Sequence, residues 1–157
     1  MVESWIDALT KVWQFSTGRN KTVKSFRLFE KSELPEVLSP ESFPVALSFV
    51  SSVDIEYSRG GPCFGVWRGT TEFHITKNLS KSDIPLVMTF YGKIWQAAAA
   101  NFTLGGRVAY FVLSTDNNAI MGPVSLKYSE EAEHWGLLVN WVVKEHVESQ
   151  LTFGNGS

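Results

Sequence analysis

The last apolar stretch of the chain has the clearest pattern of hydrophobic and polar positions. From Trp135 to Val143 every second residue is apolar, while the even positions from 136 to 146 are a mixture of glycine, leucine, asparagine, valine, lysine and histidine. A period of two over this length is typical of a half-buried β-strand, because successive side chains of a strand point to opposite faces. We therefore expect a strand over 134–146 with one dry face and one mixed face, the mixed one partly covered by another subunit.

Residues 3–16 have helical spacing instead. Their apolar residues recur three and four positions apart, which predicts an amphipathic helix with two tryptophans on its apolar side. These apolar residues are Trp5, Ile6, Leu9, Val12 and Trp13. We expect Trp5, Leu9 and Trp13 to pack on a sheet.

A longer helix is predicted over 80–104. Ser82 or Asp83 is a suitable N-cap, Pro85 is tolerated in a first turn, and Gly105-Gly106 follows the last helical residues. An apolar stripe runs along this helix at spacings of three and four residues. It consists of Ile84, Val87, Met88, Tyr91, Ile94, Trp95, Ala98 and Phe102.

Most of the remaining chain has β character. Strands are predicted at 43–51, 53–57, 64–77, 108–113 and 120–128, the last interrupted by Gly122-Pro123. The segment 22–30 fits either an extended arm or a short strand, and 31–44 is a proline-containing loop. The glycines of the Ser58–Pro62 turn join two strands into a long β-hairpin. Together these elements predict an α+β fold, with an antiparallel or mixed β-sheet, two helices packed on one face and a long hairpin.

Length and composition predict a single domain over 1–157, with 150–157 as a flexible tail. Charged residues make up 19% of the chain, below the roughly 25% of an average soluble domain. Aromatic residues are abundant, with 11 Phe, 6 Trp and 4 Tyr. This composition fits a protein that hides extra surface in an assembly, and it also fits a monomer with a large aromatic core.

The charge pattern restricts the partners. The formal net charge is −2, the pI is about 5.9, and the basic residues are scattered, which disfavours tight or sequence-specific binding to nucleic acid. The N-terminus lacks the pattern of a signal peptide. Polar residues interrupt the apolar-rich stretch 84–102, which argues against a membrane span. We expect a protein of cytoplasmic origin.

Candidate chemistry is sparse. His74, His134 and His146 lie on separate segments without metal-ligand spacing. Cys63 is the only cysteine, and a small hydrophobic loop residue is a better interpretation of it than a nucleophile. Glu72 and His74 share a strand face and can form a hydrogen bond, but such a pair alone is weak support for catalysis. We therefore expect no enzymatic activity, no catalytic residues, no cofactor and no metal.

The order of elements resembles the tail terminator proteins, also called tail completion proteins, of long-tailed bacteriophages. The resemblance covers most of residues 1–148. It rests on the N-terminal helix, a strand after a proline-containing loop, a strand returning from the hairpin, Ser82-Asp83 before a long helix, and the closing strand. In this sequence those strands are 43–49, 67–75 and 137–143.

Membership of this family implies a homo-oligomeric ring, usually of six copies, that caps the tail tube, ends its growth and joins it to the head connector. The protein would then belong to the tail of the virion and assemble in the host cytoplasm, with the tube and connector proteins as partners. Such a ring needs subunit contacts. The candidate contacts are Arg59, Gly60 and Gly61 in the hairpin and Leu138 and Val142 in the final strand.

A second interpretation remains open at this point. The chain also fits a small-ligand-binding or cyclase-like α+β domain, whose cavity would use the aromatic residues and the pair Glu72/His74. The native mass distinguishes the two, because a ring favours the tail protein and a tight monomer with an internal cavity favours the binding domain.

Overall fold

A six-stranded mixed sheet forms the centre of the structure, a computed structural model that describes residues 2–17, 21–27, 43–57, 60–61, 63–77, 81, 83–114, 118–127 and 133–147. The elements are α1 (Val2–Val12), β1 (Lys24–Arg27), β2 (Val45–Glu56), β3 (Cys63–Thr76), α2 (Ile84–Ala100), β4 (Tyr110–Leu113), β5 (Ile120–Lys127) and β6 (Glu133–Val147). β1 is parallel to β2, whereas the β2–β3, β3–β6, β4–β6 and β5–β6 pairs are antiparallel. The predicted α+β class with a mixed sheet and two helices is confirmed.

β6 is the last of the described strands along the chain but lies inside the sheet. The strand order is β1-β2-β3-β6-β4, and β5 also pairs with β6. One edge of β6 pairs with β3 along nearly its whole length. Its other edge pairs with β5 through the first half and with β4 through the second half. Both edges of β6 are thus paired. Its alternating apolar residues determine which face of the sheet packs against the core.

The two faces of β6 differ as the alternation predicts. One face, here called the helix face, carries four fully buried side chains: Leu137, Val139, Trp141 and Val143. The opposite face, here called the far face, carries three half-buried ones: Leu138, Asn140 and Val142. Both helices contribute to the core cluster that includes the helix-face residues of β6. The sheet is therefore packed against helices on one side.

α1 packs on the helix face through the residues that its spacing predicts. Trp5 and Leu9 of α1 and Trp13, the first residue after it, are fully buried. The ring of Trp5 meets Trp141 edge-on at 5.8 Å between centroids, and Trp13 meets Phe73 edge-on at 5.5 Å. Edge-to-face pairs at these distances add to the free energy gained from burying the rings themselves.

A short polar chain fixes the alignment of β2, β3 and β6 beneath these rings. The indole Nε1 of Trp141 donates a hydrogen bond to the Thr71 hydroxyl at 3.0 Å, and the hydroxyls of Thr71 and Ser48 lie 2.8 Å apart. The Trp141 ring occupies the space above Gly69, where an added Cβ would lie 2.3 Å from the ring. A side chain at position 69 would therefore displace the ring and break the polar chain.

α2 begins after Asp83, whose side chain makes no capping hydrogen bond, and Pro85 lies in its first turn as predicted. Ser82 is outside the described residues. The buried residues of α2 are Val87, Phe90, Ile94 and Ala98. The apolar stripe predicted from the sequence is thus divided, because four of its members are exposed: Ile84, Met88, Trp95 and Phe102. The apolar residues of α2 extend beyond the side that the sheet covers.

Several expectations fall on residues that the structure does not describe. They are residues 31–42 of the proline-containing loop, the turn residues Ser58, Arg59 and Pro62, and the tail 150–157. β2 and β3 are consecutive and antiparallel, with partners from Val45↔His74 to Glu56↔Phe64. The long hairpin itself stays a prediction, since part of its turn is outside the described residues.

Candidate functional site

The outer half of β2 is the first exposed surface. β1 pairs with β2 only over Val45–Ser48, so residues 49–56 pair with β3 alone among the described strands. Ile55 and Tyr57 are 49% and 81% exposed, and Val53 is similarly open. Among the described strands this part of β2 is therefore an edge with exposed apolar side chains, and such an edge is the usual template for pairing with another chain. Residues 49–57 are called the β2 edge below.

The second exposed surface lies on α2 and the turn that follows it. Trp95 is 70% exposed, and Met88 and Phe102 are about half exposed. A groove of about 270 Å³ separates this surface from β4. Its lining is apolar and consists of Trp95, Ala98, Ala99, Phe102, Phe111, Val112 and Leu113. We call it the α2–β4 groove.

These two surfaces lie at opposite edges of one sheet. In the strand order β1-β2-β3-β6-β4, the outer half of β2 forms one edge and β4 the other. The two exposed apolar surfaces therefore differ from each other and are separated by the width of the sheet.

A buried cluster on the far face brings together two histidines and a carboxylate. His74 Nδ1 lies 3.2 Å from His134 Nδ1, and His74 Nε2 lies 3.7 Å from Glu72 Oε2. The Phe43 ring packs edge-on against His134 at 4.5 Å between centroids. A hydrogen bond between the two Nδ1 atoms requires one ring to donate and the other to accept, so the pair holds one proton at this contact.

Burial lowers the pKa of His134 below 6.5, and the nearby His74 and Lys77 lower this pKa further. This favours a neutral His134 ring, which can accept the hydrogen bond from His74. His74 and His134 are only 0% and 3% exposed. Both rings thus lie inside the protein, and their contact joins β3 to β6.

Part of this cluster is evident from the sequence. Glu72 and His74 lie on one strand face and come close together, as expected. The contribution of His134 was missed, because it lies 60 residues from His74 in sequence and no local spacing links them. The signal that could have found it is the antiparallel pairing of two long alternating strands, which places the end of one beside the start of the other.

The candidate interface residues occupy two regions. Gly60 and Gly61 are exposed, whereas Arg59 is outside the described residues. Leu138 and Val142 are half-buried on the far face, where Val142 is the register partner of both Arg68 and Val112. Whether these positions contact a partner stays a prediction.

The remaining candidate side chains are dispersed. Cys63 is a half-buried free thiol at the start of β3, and His146 is exposed near the end of β6. No three His, Cys, Asp or Glu side chains converge as metal ligands would in the described part of the chain. In the histidine cluster, Glu72 and His134 face different nitrogens of the His74 ring, so they do not converge on one point.

A second cavity, of about 260 Å³, lies between the start of β2, the end of β3 and α2. Its lining includes Lys21, Lys77, Phe43 and Phe90. Glu72 and His74 line neither this cavity nor the α2–β4 groove. The pair is therefore not part of these two cavities.

Two further findings concern the chain as a whole. No helix in the described ranges combines the length and the apolar character needed to cross a membrane. Among the described residues, exposed apolar side chains are concentrated on the β2 edge and on α2, with Phe26 of β1 as a further one. Neither a scan against models of known protein families nor a search of curated proteins finds a match to this chain.

Proposed function

We propose that this protein is a structural subunit that associates with copies of itself into a ring, and that the ring caps the tail tube of a bacteriophage. The observation that carries the proposal is the pair of exposed apolar surfaces at opposite edges of one sheet, the β2 edge and the α2–β4 groove. A surface binding a different surface on the next copy generates a ring when the rotation between copies closes.

The ring would act through its shape. A tube of identical subunits grows because each new layer presents the same upper face. A closed ring of a different protein binds that face and presents another, so addition stops there. The cap then offers its upper face to the head connector. A net charge of −2 with no cluster of basic residues suits an inner wall that lets DNA pass without binding it.

The resemblance in element order supports the tail-tube part of this proposal, and the two surfaces support self-association. If the chain forms a ring but binds no tube protein, self-association stands and the tail-tube part of the proposal is wrong.

The direct test is tube length. The tail tube protein from the same genome would be polymerised in vitro with and without the purified chain, and tubes would be measured by electron microscopy. We expect shorter tubes, each ending in a ring-shaped density. An unchanged length distribution at a molar excess of the chain over tube ends would refute the capping function.

A specificity control uses an unrelated tube protein under the same conditions. Capping should be confined to the cognate tube, because it depends on a matching upper face. Shortening of both tubes would indicate sequestration of subunits instead.

A further inference from the structure

We propose that the second cavity, between the start of β2, the end of β3 and α2, binds a small organic anion. The ligand would carry one carboxylate or phosphate group on a single ring or a short branched chain. The described lining residues all belong to one copy of the chain, so binding needs neither a ring nor a tail tube. This cavity, with Lys21 and Lys77 in its lining, is called the lysine cavity below.

Four segments of the chain meet at the lysine cavity. They are the connection between α1 and β1, the residues just before β2, the end of β3 and the first half of α2. The volume of the cavity is about 260 Å³. Pockets that hold drug-sized molecules usually have roughly 300–1,000 Å³. The lysine cavity therefore suits a smaller ligand, with one ring or a few branched carbons.

The apolar floor of the cavity is formed by Ile75 and Phe90, which are 5% and 1% exposed. The Phe90 ring packs edge-on against Phe15 and Phe73, with centroids 5.5 and 6.1 Å away. These contacts hold the ring in place before a ligand arrives, so little conformational entropy is lost on binding. Such a floor can bind the apolar body of a ligand.

Hydrogen bonds fix Thr17 and Lys21 at the edge of the cavity. The N–H and the hydroxyl of Thr17 both donate to the Lys21 carbonyl, at 2.8 and 3.0 Å. Ser16 pairs with Thr22 in an isolated bridge, and Lys93 Nζ donates a hydrogen bond to the Ser16 carbonyl. The backbone of Lys21 is thus tied to α2, while its side chain stays exposed.

The charge of the cavity is positive. Lys21 and Lys77 line it, and no Asp or Glu is among the described residues that do so. Neither ammonium group forms an ion pair with another described residue. Both charges attract an anion in the cavity and repel a cation. An apolar floor with a few charged groups is the usual composition of a small-molecule site, and here it favours an organic anion.

The test is an NMR titration of the isotope-labelled chain with phenylacetate and with phenyl phosphate, at constant ionic strength and below the range of self-association. Both probes carry one ring and one anionic group. We expect saturable shifts of the amide signals of Thr17, Thr76 and Lys77. Phenylacetamide has the same ring without the charge, and acetate lacks the ring. Each should bind at least about tenfold more weakly than phenylacetate.

The two anionic probes distinguish the head groups. Tighter binding of phenylacetate would assign a carboxylate ligand to the cavity, and tighter binding of phenyl phosphate would assign a phosphate ligand. Either result supports the proposal.

One variant for each lysine tests the role of charge. Lys21→Gln and Lys77→Gln change exposed side chains and leave the apolar floor intact. Each should weaken the binding of phenylacetate about fivefold, as expected for the loss of one nearby charge in water. Lys11→Gln is the matched control, because Lys11 is exposed on α1 and does not line the cavity, while the net charge changes equally. It should bind like wild type.

Four results would overturn the proposal. The first is the absence of saturable shifts with both anionic probes. The second is shifts confined to the α2–β4 groove, at Trp95 and Leu113, which would show that the ring binds the exposed apolar surface instead. The third is equal affinity for phenylacetate and phenylacetamide, and the fourth is a Lys11→Gln variant as defective as Lys77→Gln. None of these results bears on the capping function, because the titration is made below the range of self-association.

Discussion

Replacing Trp13 with alanine tests whether α1 is held by core packing. Trp13 is 0% exposed and packs edge-on against Phe73 and Phe111, with centroids 5.5 and 5.8 Å away. A buried aromatic ring removes about 150–250 Å² from water. At about 25 cal/mol per Å² this area corresponds to roughly 4–6 kcal/mol. Alanine keeps a small part of that area, so we expect Trp13→Ala to cost about 3–5 kcal/mol, as large aromatic truncations in cores do.

Two matched variants separate packing from other effects. Trp13 Nε1 is buried and has no hydrogen-bond partner in the described part of the chain. Trp13→Phe keeps most of the ring and removes this N–H, so its cost should stay below about 1.5 kcal/mol. Trp95 is 70% exposed, so the same change there, Trp95→Ala, should alter the free energy of unfolding by no more than about 0.5 kcal/mol.

The assay is urea denaturation followed by tryptophan fluorescence and circular dichroism, at protein concentrations below the range of self-association. A loss of 3–5 kcal/mol corresponds to a fall in Tm of roughly 6–20 °C for a domain of this size. A Trp13→Ala loss under about 1 kcal/mol, the range of surface substitutions, would refute the assignment of α1 to the core. Equal losses for Trp13→Ala and Trp95→Ala would refute it as well.

Three further outcomes are expected. Gly136→Ala should destabilise the fold by at least about 1–3 kcal/mol in the same denaturation assay, because its Cβ would lie 1.6 Å from the Phe73 carbonyl oxygen. Gly92→Ala, with open space around its Cβ, should instead stabilise α2 by about 0.5–1 kcal/mol. The free energy of unfolding should fall as the pH drops from 6.5 through the folded pKa of His134, by up to about 1.4 kcal/mol per pH unit, because the unfolded chain binds a proton that the folded histidine excludes. His134→Gln should flatten this dependence, and a slope that persists would assign the effect to another group. Val142→Glu should fold, because its register partner Arg68 can pair with the new carboxylate, and should weaken assembly through its neighbour Val112 in the groove. If the native mass of the Val142→Glu variant equals that of wild type, Val142 is not part of the subunit contact, which then lies at the sheet edges.

The exposed surface of α2 consists of residues whose exposure the sequence alone does not determine. The stripe on α2 has the same spacing whether or not it is covered, and Trp95 and Ile94 are neighbours in it. Only the position of the sheet makes Ile94 buried and Trp95 70% exposed. Apolar spacing indicates that a helix has an apolar side. The element packed against the helix determines which residues of that side are buried.

The sequence alone determined the elements whose signal is local. A period of two in β6 and the helical spacing of α1 fix which side chains share a face, because backbone geometry imposes those periods on any chain. The α+β class and the burial of Trp5, Leu9 and Trp13 follow from these patterns. Tertiary structure decided what depends on pairing between distant segments: the interior position of β6, the meeting of His74 with His134, and the placement of the β2 edge opposite the α2–β4 groove. Strand order and register arise from contacts between residues far apart in the chain, and no short-range pattern encodes them.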